Sequence, residues 1–232
     1  MASTTEIVML LEEQPDLGAR LAPEELAVAR TAVRAQTLRW QADTTFDVPP
    51  SALEPGAWGL LVLDGWLGYR LTSGSVQRLE LLGAGDLIRP WTRPDNVVSG
   101  PSEPDWHLIS PCRLAVLDRT FGLVAARWPE LPEALMDRMV LRSRRLVLQM
   151  SAAAQRRAED RVLGMLWQLA ERSGVVVPGG VRVAIRLTHQ LLADMTGTRR
   201  PPTTAAITRL RELGLLSTDD RGLFVLHGDP PQ

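Results

Sequence analysis

Hydrophobic and polar positions alternate on a short period through the first half of the chain. From about residue 40 to 120, apolar runs of strand length such as WGLLVLDGWLGYRL, VQRLELL and CRLAVLD are separated by turn residues. The turns are DG at Asp64 and Gly65, SGS at Ser73–Ser75 and GAGD at Gly83–Asp86. Closely spaced strands of this length predict a small antiparallel sandwich or barrel.

Helical spacing is found on both sides of this region. Residues 21 to 37 predict a short amphipathic helix with Pro23 in its first turn. After residue 130, apolar residues recur at spacings of four and three, which predicts a long helix with a coiled-coil-like seam. We predict that the seam pairs with a second copy of the chain, although the chain's own sheet is an alternative partner. The seam comprises Met136, Val140, Ser143, Val147, Met150 and Ala154, and Leu135, Met139 and Leu146 widen it.

The last third of the chain predicts two short helices around a glycine turn. A helix over about 159–172 and a strand VRVAIRL precede the segment LTHQLLADMTGTRRPPTTAAITRLRELGLL. Thr188 is a suitable N-cap for a helix from His189 to Met195, and Gly197 allows a sharp turn. A second helix ends at Gly214, and the tail STDDRGLFVL predicts a hairpin beside it. This arrangement is a winged helix-turn-helix, whose second helix enters the DNA major groove.

The two prolines at the start of the second helix locate its first turn. The first four N–H groups of a helix have no intrahelical acceptor, so proline costs little there. The helix is therefore expected to begin at about Pro201, with Arg199 and Arg200 in the preceding turn, aimed at guanine edges or phosphates.

In this region the chain resembles the cyclic-AMP receptor protein/FNR (CRP/FNR) family of bacterial transcription regulators. The resemblance covers nearly the whole length and implies an α+β fold. We predict a β-roll sensor over 1–130, a dimerisation helix over 131–157 and a winged helix-turn-helix domain over 158–232. The resemblance rests on the residues Leu187, Thr188, Gln190, Gly197, Arg200, Leu210, Gly214, Leu215 and Leu216.

The resemblance implies a homodimer that binds double-stranded DNA at a pseudo-palindromic operator and works with RNA polymerase. The family often reads bases with a Glu and a second Arg, but the matching positions here are Pro201 and Ala205. We expect phosphate contacts from the start of the first helix, and base or phosphate contacts from the turn and the second helix. The candidate DNA-binding residues are Thr188, His189, Gln190, Thr198, Arg199, Arg200, Thr203, Thr204, Thr208 and Arg209.

The distribution of charge agrees with a polyanion at the carboxyl-terminal side. Residues 1–131 carry a net charge of −6, whereas residues 132–180 carry +3 and residues 181–232 carry +2. No apolar run has the length of a membrane span, and the amino terminus lacks the pattern of a secretory signal. With a single cysteine, Cys112, an internal disulfide is impossible. These observations predict a cytoplasmic protein.

The effector of the sensor is the least determined feature. In cyclic-nucleotide-binding relatives, a Gly-Asp turn is followed by Gly-Glu and later by Arg-Ser, whose Arg neutralises the phosphate. Here Gly85 and Asp86 are present, but Arg89 and Pro90 replace Gly-Glu, and the later pair falls near Ser102 and Glu103. We therefore expect no cyclic AMP binding in the family manner. No cofactor is expected: one cysteine excludes an iron–sulfur cluster, and a haem on Cys112 or His107 is not expected. Candidate effector residues are Arg89, Trp91 and Trp106.

Two other classes of function remain as alternatives. A cupin-like, metal-dependent β-barrel enzyme needs clustered histidines, but His107, His189 and His227 lie far apart in sequence. We therefore expect neither a metal site nor catalytic residues. The other alternative is a protein-interaction module whose helix-turn-helix has lost DNA binding because of the two prolines.

Overall fold

The computed structural model describes residues 3–42, 46–73, 76–89 and 105–230. The strands are β1 Ser3–Met9, β2 Arg34–Trp40, β3 Gly59–Asp64, β4 Leu67–Ser73, β5 Val76–Leu82, β6 Leu87–Ile88, β7 Asp105–Leu108, β8 Cys112–Leu117, β9 Gly174–Val177, β10 Gly180–Val183, β11 Leu216–Thr218 and β12 Phe224–Leu226. The helices are α1 Leu10–Glu13, α2 Pro23–Ala32, α3 Arg119–Ala125, α4 Glu130–Ala153, α5 Ala158–Ser173, α6 His189–Thr196 and α7 Arg200–Glu212. The chain divides into two compact units, residues 1–71 with 80–143 and residues 72–79 with 144–232.

Two antiparallel sheets form most of the first unit, as the spacing of apolar runs predicts. One sheet has the strand order β1-β2-β8-β3-β6 and the other β5-β4-β7. Successive side chains of a strand point to opposite faces. Accordingly, Leu60 and Val62 of β3 join one apolar cluster, whereas Leu61 and Leu63 join the other. Burial on both faces explains why β3 is a continuous apolar run.

The first unit differs from the prediction in two places. The helix predicted over residues 21–37 ends at Ala32, and β2 begins at Arg34. Residues 34–37 alternate between exposed and buried positions, with Ala35 and Thr37 buried, which is the period of a strand. Asp105–Leu108 form a further strand, β7, which pairs with β4 and is absent from the apolar runs named above. Residues 90–104 lie outside the described part of the chain.

Helix α4 presents most of the predicted seam to solvent. Met136, Val140, Val147 and Met150 are 59%, 49%, 61% and 71% exposed, and Ser143 is exposed as well. Ala154 is exposed but follows the helix, which ends at Ala153. The prediction that Leu135 widens the seam is wrong, because this residue is buried in the core of the first unit.

Two arginines on other faces of α4 are held by the first unit. Arg142 donates to both carboxylate oxygens of Glu80 at 2.6 and 2.8 Å and to the carbonyl oxygen of Leu87 at 3.2 Å. Arg138 donates to Asp16 at 2.7 Å. Burial opposes the charge of Arg142, but the carboxylate of Glu80 outweighs it and raises the pKa of Arg142.

The second unit packs three helices on a small sheet. Strand order in that sheet is β11-β12-β10-β9, and all its pairs are antiparallel. The strand predicted for VRVAIRL is shorter than expected, since β10 ends at Val183, and β9 pairs with it across the turn at Pro178 and Gly179. Buried residues of α5, α6 and α7 form the core, among them Val162, Leu166, Leu192, Met195, Ile207 and Leu210. Among the described residues, no helix is long and apolar enough to cross a membrane.

Candidate nucleic-acid interface

The two helices of the predicted helix-turn-helix are joined by a turn that only glycine adopts without strain. Thr188 caps α6, and its hydroxyl accepts a hydrogen bond from the N–H of Leu191 at 3.1 Å. Gly197 ends α6 at φ 64°, in the left-handed region. Both features agree with the prediction.

Helix α7 begins at Arg200, one residue earlier than predicted. Arg199 is its N-cap, with extended backbone angles, so Arg200 lies in the helix and not in the turn. The N–H of Thr203 donates to the carbonyl oxygen of Arg199 at 3.2 Å. That bond is the first of the helix, so Pro201 and Pro202 occupy positions whose N–H groups have no partner in any helix. The prolines therefore lie in the first turn of the helix as predicted, and only the first helical residue differs.

The prediction that Thr203 contacts DNA is wrong, because its side chain is buried. Its side chain is 0% exposed, and its hydroxyl lies 2.6 Å from that of Thr198 and donates to the carbonyl oxygen of Arg199 at 3.0 Å. The Thr198 hydroxyl also bonds to that of Thr196, at 3.0 Å. These three threonines connect the end of α6 to the first turn of α7. Thr203 therefore positions α7 and is not available to DNA.

The remaining candidates lie at the surface around this turn. Those exposed to solvent are Thr188, Gln190, Arg199, Arg200, Thr204, Thr208 and Arg209, whereas His189 and Thr198 are half-buried. Several are already paired within the protein. Gln190 donates to Asp194 at 2.7 Å, and Arg209 forms an ion pair with Glu212 at 2.9 Å. That ion pair agrees with a solvated structural role for Arg209 as well as with DNA contact.

Arginines surround His189 and oppose its protonation. Burial lowers the pKa of His189, and the positive charges of Arg211 and Arg200 lower it further. Its Nδ1 lies 3.0 Å from the hydroxyl of Thr204 on α7. A neutral histidine therefore links the two helices at neutral pH.

The predicted wing is present, and one aspartate organises its turn. Strands β11 and β12 pair from Leu216 opposite Leu226 to Thr218 opposite Phe224. Asp219 accepts hydrogen bonds from the N–H groups of Leu223 and Arg221 at 2.8 and 2.9 Å. The bond from Leu223 is the main reason why the pKa of Asp219 is lowered. The hairpin is predictable from the sequence, whereas this role of Asp219 is seen only in the structure.

The candidate effector residues of the sensor do not converge on a described site. Trp106 is half-buried against Tyr69 and Phe46, at ring-centroid distances of 4.7 and 5.4 Å. It therefore packs against the apolar cluster that contains Leu60 and Val62. The Arg89 guanidinium lies 5.9 Å from the Trp58 ring centroid, and Trp91 lies outside the described residues.

The other chemically reactive groups are held within the fold. Cys112 is buried and its Sγ lies 3.2 Å from the carbonyl oxygens of Trp66 and Ser110. Burial raises the pKa of this thiol to about 11. Within the described ranges, no three His, Cys, Asp or Glu residues are arranged to hold a metal ion. The histidines are instead paired, as in the bond of His227 to the carbonyl oxygen of Gly179 at 2.7 Å.

Comparison with known proteins agrees with this geometry. The family model of the Crp-like helix-turn-helix domain matches residues 160–229, which include α6, the turn, α7 and the wing. Residues 160–229 therefore form a Crp-like helix-turn-helix domain. That match supports a DNA-binding transcription regulator of the CRP/FNR type.

Similarity to known transcription regulators extends into the first unit. The chain is 26% identical to the Global nitrogen regulator of Synechocystis sp., over 68% of this chain and 75% of that protein. It is 25% identical to the CRP-like cAMP-activated global transcriptional regulator of Mycobacterium tuberculosis, over 74% of this chain and 77% of that protein. The CooA mutant structure from Carboxydothermus hydrogenoformans matches with a TM-score of 0.64 at 16% identity, over 95% of this chain and 92% of that one, and so shares the fold.

Proposed function

We propose that this chain is a sequence-specific regulator that binds a pseudo-palindromic operator as a homodimer. The observation that carries the proposal is the exposed start of α7 at Arg199 and Arg200, which is held to the capped end of α6 by the contact of Thr204 with His189 at 3.0 Å. In a helix-turn-helix this end of the second helix faces the base edges, and arginine pairs bidentately with guanine. Phosphate contacts from Thr188 and Gln190 would fix the register of the protein on the duplex.

The prolines of α7 favour this proposal over a module that has lost DNA binding. That alternative depends on the prolines as damage to the helix. Neither Pro201 nor Pro202 removes a helical hydrogen bond, because the first such bond is donated by Thr203. A cupin-like enzyme has no support among the described residues, which include all three histidines.

The homodimer is supported by the exposed seam of α4. The exposed seam residues Met136, Val140, Ser143, Val147 and Met150 recur at spacings of four and three, and the four apolar members are each about half exposed or more. A continuous apolar stripe of this kind marks an interaction surface, and a second copy of α4 presents the same stripe about a two-fold axis. Two-fold symmetry then implies two half-sites about one helical turn of DNA apart.

A charge placed in the seam tests the dimer. Val147→Asp should convert the protein to a monomer, because pairing would bury the carboxylate in an apolar contact. Leu123→Asp is the matched control, since Leu123 is 67% exposed on α3, away from the seam. Light scattering after size-exclusion chromatography measures the mass. A monomeric wild type, or an unchanged dimer for Val147→Asp, contradicts the pairing through α4.

The sensor is proposed not to bind cyclic AMP in the family manner. The support is the residue types: Arg89 and Pro90 replace Gly-Glu, and Glu103 stands near the position of the phosphate-binding arginine. A carboxylate beside a phosphate is unfavourable. One relative is named a nitrogen regulator and another is named cAMP-activated, so the family does not fix the effector. Titration calorimetry with cyclic AMP should give no binding heat; saturable 1:1 heat would contradict this part.

DNA selection from the whole genome tests the regulator itself. Purified protein is incubated with fragmented genomic DNA, with and without cell extract, and the enriched fragments are footprinted. We expect protection of a pseudo-palindrome; no footprint in either condition overturns the proposal. Arg200→Ala should weaken specific binding more than non-specific binding, whereas equal loss means that Arg200 contacts only phosphate. We further propose contact with RNA polymerase, tested by transcription in vitro from a promoter that carries the footprint.

A further inference from the structure

The exposed face of α7 is unusually apolar for a helix that meets DNA. Pro201, Thr204, Ala205 and Thr208 follow the spacing i, i+3, i+4, i+7 and are exposed, whereas Thr203, Ala206, Ile207 and Leu210 are buried. The two sets lie on opposite sides of the helix. From Pro201 to Thr208 the face carries no charge and no amide.

The hydroxyls on this face are already used inside the protein. That of Thr204 pairs with Nδ1 of His189 at 3.0 Å. That of Thr208 donates to the carbonyl oxygen of Thr204 at 3.2 Å. With these hydroxyls engaged, the apolar groups of the face are the two threonine methyl groups, the Cβ of Ala205 and the ring of Pro201.

Methyl groups and small apolar side chains have one characteristic partner in the major groove. Thymine alone displays a C5-methyl group there, and Ala and the Thr methyl are the side chains that pack on it. We propose that the α7 face of Pro201, Thr204, Ala205 and Thr208 selects thymines in each half-site through methyl contacts, with Arg200 supplying the polar base contact at the edge of the face. This inference rests on the proposed function and names the class of operator that the regulator binds.

Deoxyuridine substitution tests the inference, because uracil differs from thymine only by the absent methyl group. The full-length protein is first used to select its preferred duplex from random DNA. Each thymine of the selected half-site is then replaced by deoxyuridine. We expect thymines under α7 and an affinity loss of about fourfold for each one in contact, the value of burying one methyl group.

A threonine variant identifies the residue responsible. Thr208→Ser retains the hydroxyl and its backbone bond but removes the methyl group. Its affinity for the thymine duplex should be about threefold to tenfold lower than that of the wild type. On the deoxyuridine duplex the variant and the wild type should bind equally, since both changes remove the same contact. Thr31→Ser is the matched control: Thr31 is exposed on α2 and bonds in the same way to the carbonyl oxygen of Val28 at 3.0 Å, so its affinity should not change.

Failure of the inference is distinguishable from failure of the proposed function. The methyl contacts are overturned if the selected half-site has no thymine under α7. They are also overturned if neither deoxyuridine in the duplex nor Thr208→Ser in the protein changes the affinity. In both cases a sequence-specific regulator remains. If selection enriches no sequence at all, the proposed function fails, and this inference fails with it.

Discussion

Replacement of Thr203 by valine separates a positioning role from a DNA contact. Valine has nearly the same shape but cannot form the two hydroxyl bonds, one with Thr198 and one with the carbonyl oxygen of Arg199. Neither partner is left without a bond, because Thr198 still pairs with Thr196, and Arg199 still accepts the N–H of residue 203. The cost is therefore limited to the two lost bonds.

The magnitude follows from those bonds and from the burial of the site. Two hydrogen bonds contribute about 2 kcal/mol in net terms. The additional methyl group, buried at a position that is 0% exposed, returns about 0.8 kcal/mol. Thr203→Val should therefore destabilise the start of α7 by about 1 kcal/mol, which corresponds to about fivefold faster exchange of its protected amide hydrogens.

Hydrogen–deuterium exchange of peptides that span α6 and α7 measures this change. Thr208→Val, in the same helix but exposed, is the matched control and should alter exchange by less than about twofold. In parallel, Thr203→Val should keep its affinity for non-specific DNA. The reasoning is refuted if Thr203→Val exchanges like the wild type and yet loses more than tenfold in specific DNA affinity, because Thr203 would then contact DNA as its sequence position first suggested.

Two further predictions concern charged groups. Glu80→Gln should lower the free energy of unfolding by about 2 kcal/mol in urea titrations, since it leaves Arg142, whose side chain is 23% exposed, without its carboxylate partner. The control is Glu212→Gln, in an ion pair whose two side chains are each 57% exposed, and it should change the free energy of unfolding by less than about 0.5 kcal/mol. Because the pKa of His189 is lowered in the fold, the unfolded chain binds this proton more readily, so the second unit should lose stability as pH falls below about 6.5, the ordinary pKa of histidine. Urea titrations between pH 7 and 5 should show that loss, and His189→Asn should reduce it; an identical pH dependence in both proteins would contradict the assignment.

Features that depend on a few neighbouring residues were predictable from the sequence. Local backbone requirements, which residue type alone indicates, determine the cap at Thr188, the turn at Gly197 and the wing hairpin. The start of α7 was predicted to within one residue for the same reason, because proline is tolerated only where an N–H has no partner.

Features that depend on distant packing were not predictable from local pattern. Thr203 stands among exposed threonines in sequence, and only the packing of α6 against α7 buries it and gives its hydroxyl to Thr198. Leu135 falls beside the seam of α4 by spacing, but the core of the first unit covers it. Trp106 was a candidate effector residue, but its position opposite Tyr69 on β4 packs it against the core instead. In each case the partner lies far away in the chain.

Competition between two duplexes tests the central claim most directly. Fluorescence anisotropy compares binding of the purified protein to its selected operator and to a scrambled duplex of equal composition, from 50 to 200 mM salt. Sequence-specific recognition by α7 predicts an operator affinity about a thousandfold higher or more, with both affinities falling steeply as salt rises. Equal affinities for the two duplexes at every salt concentration would contradict the account.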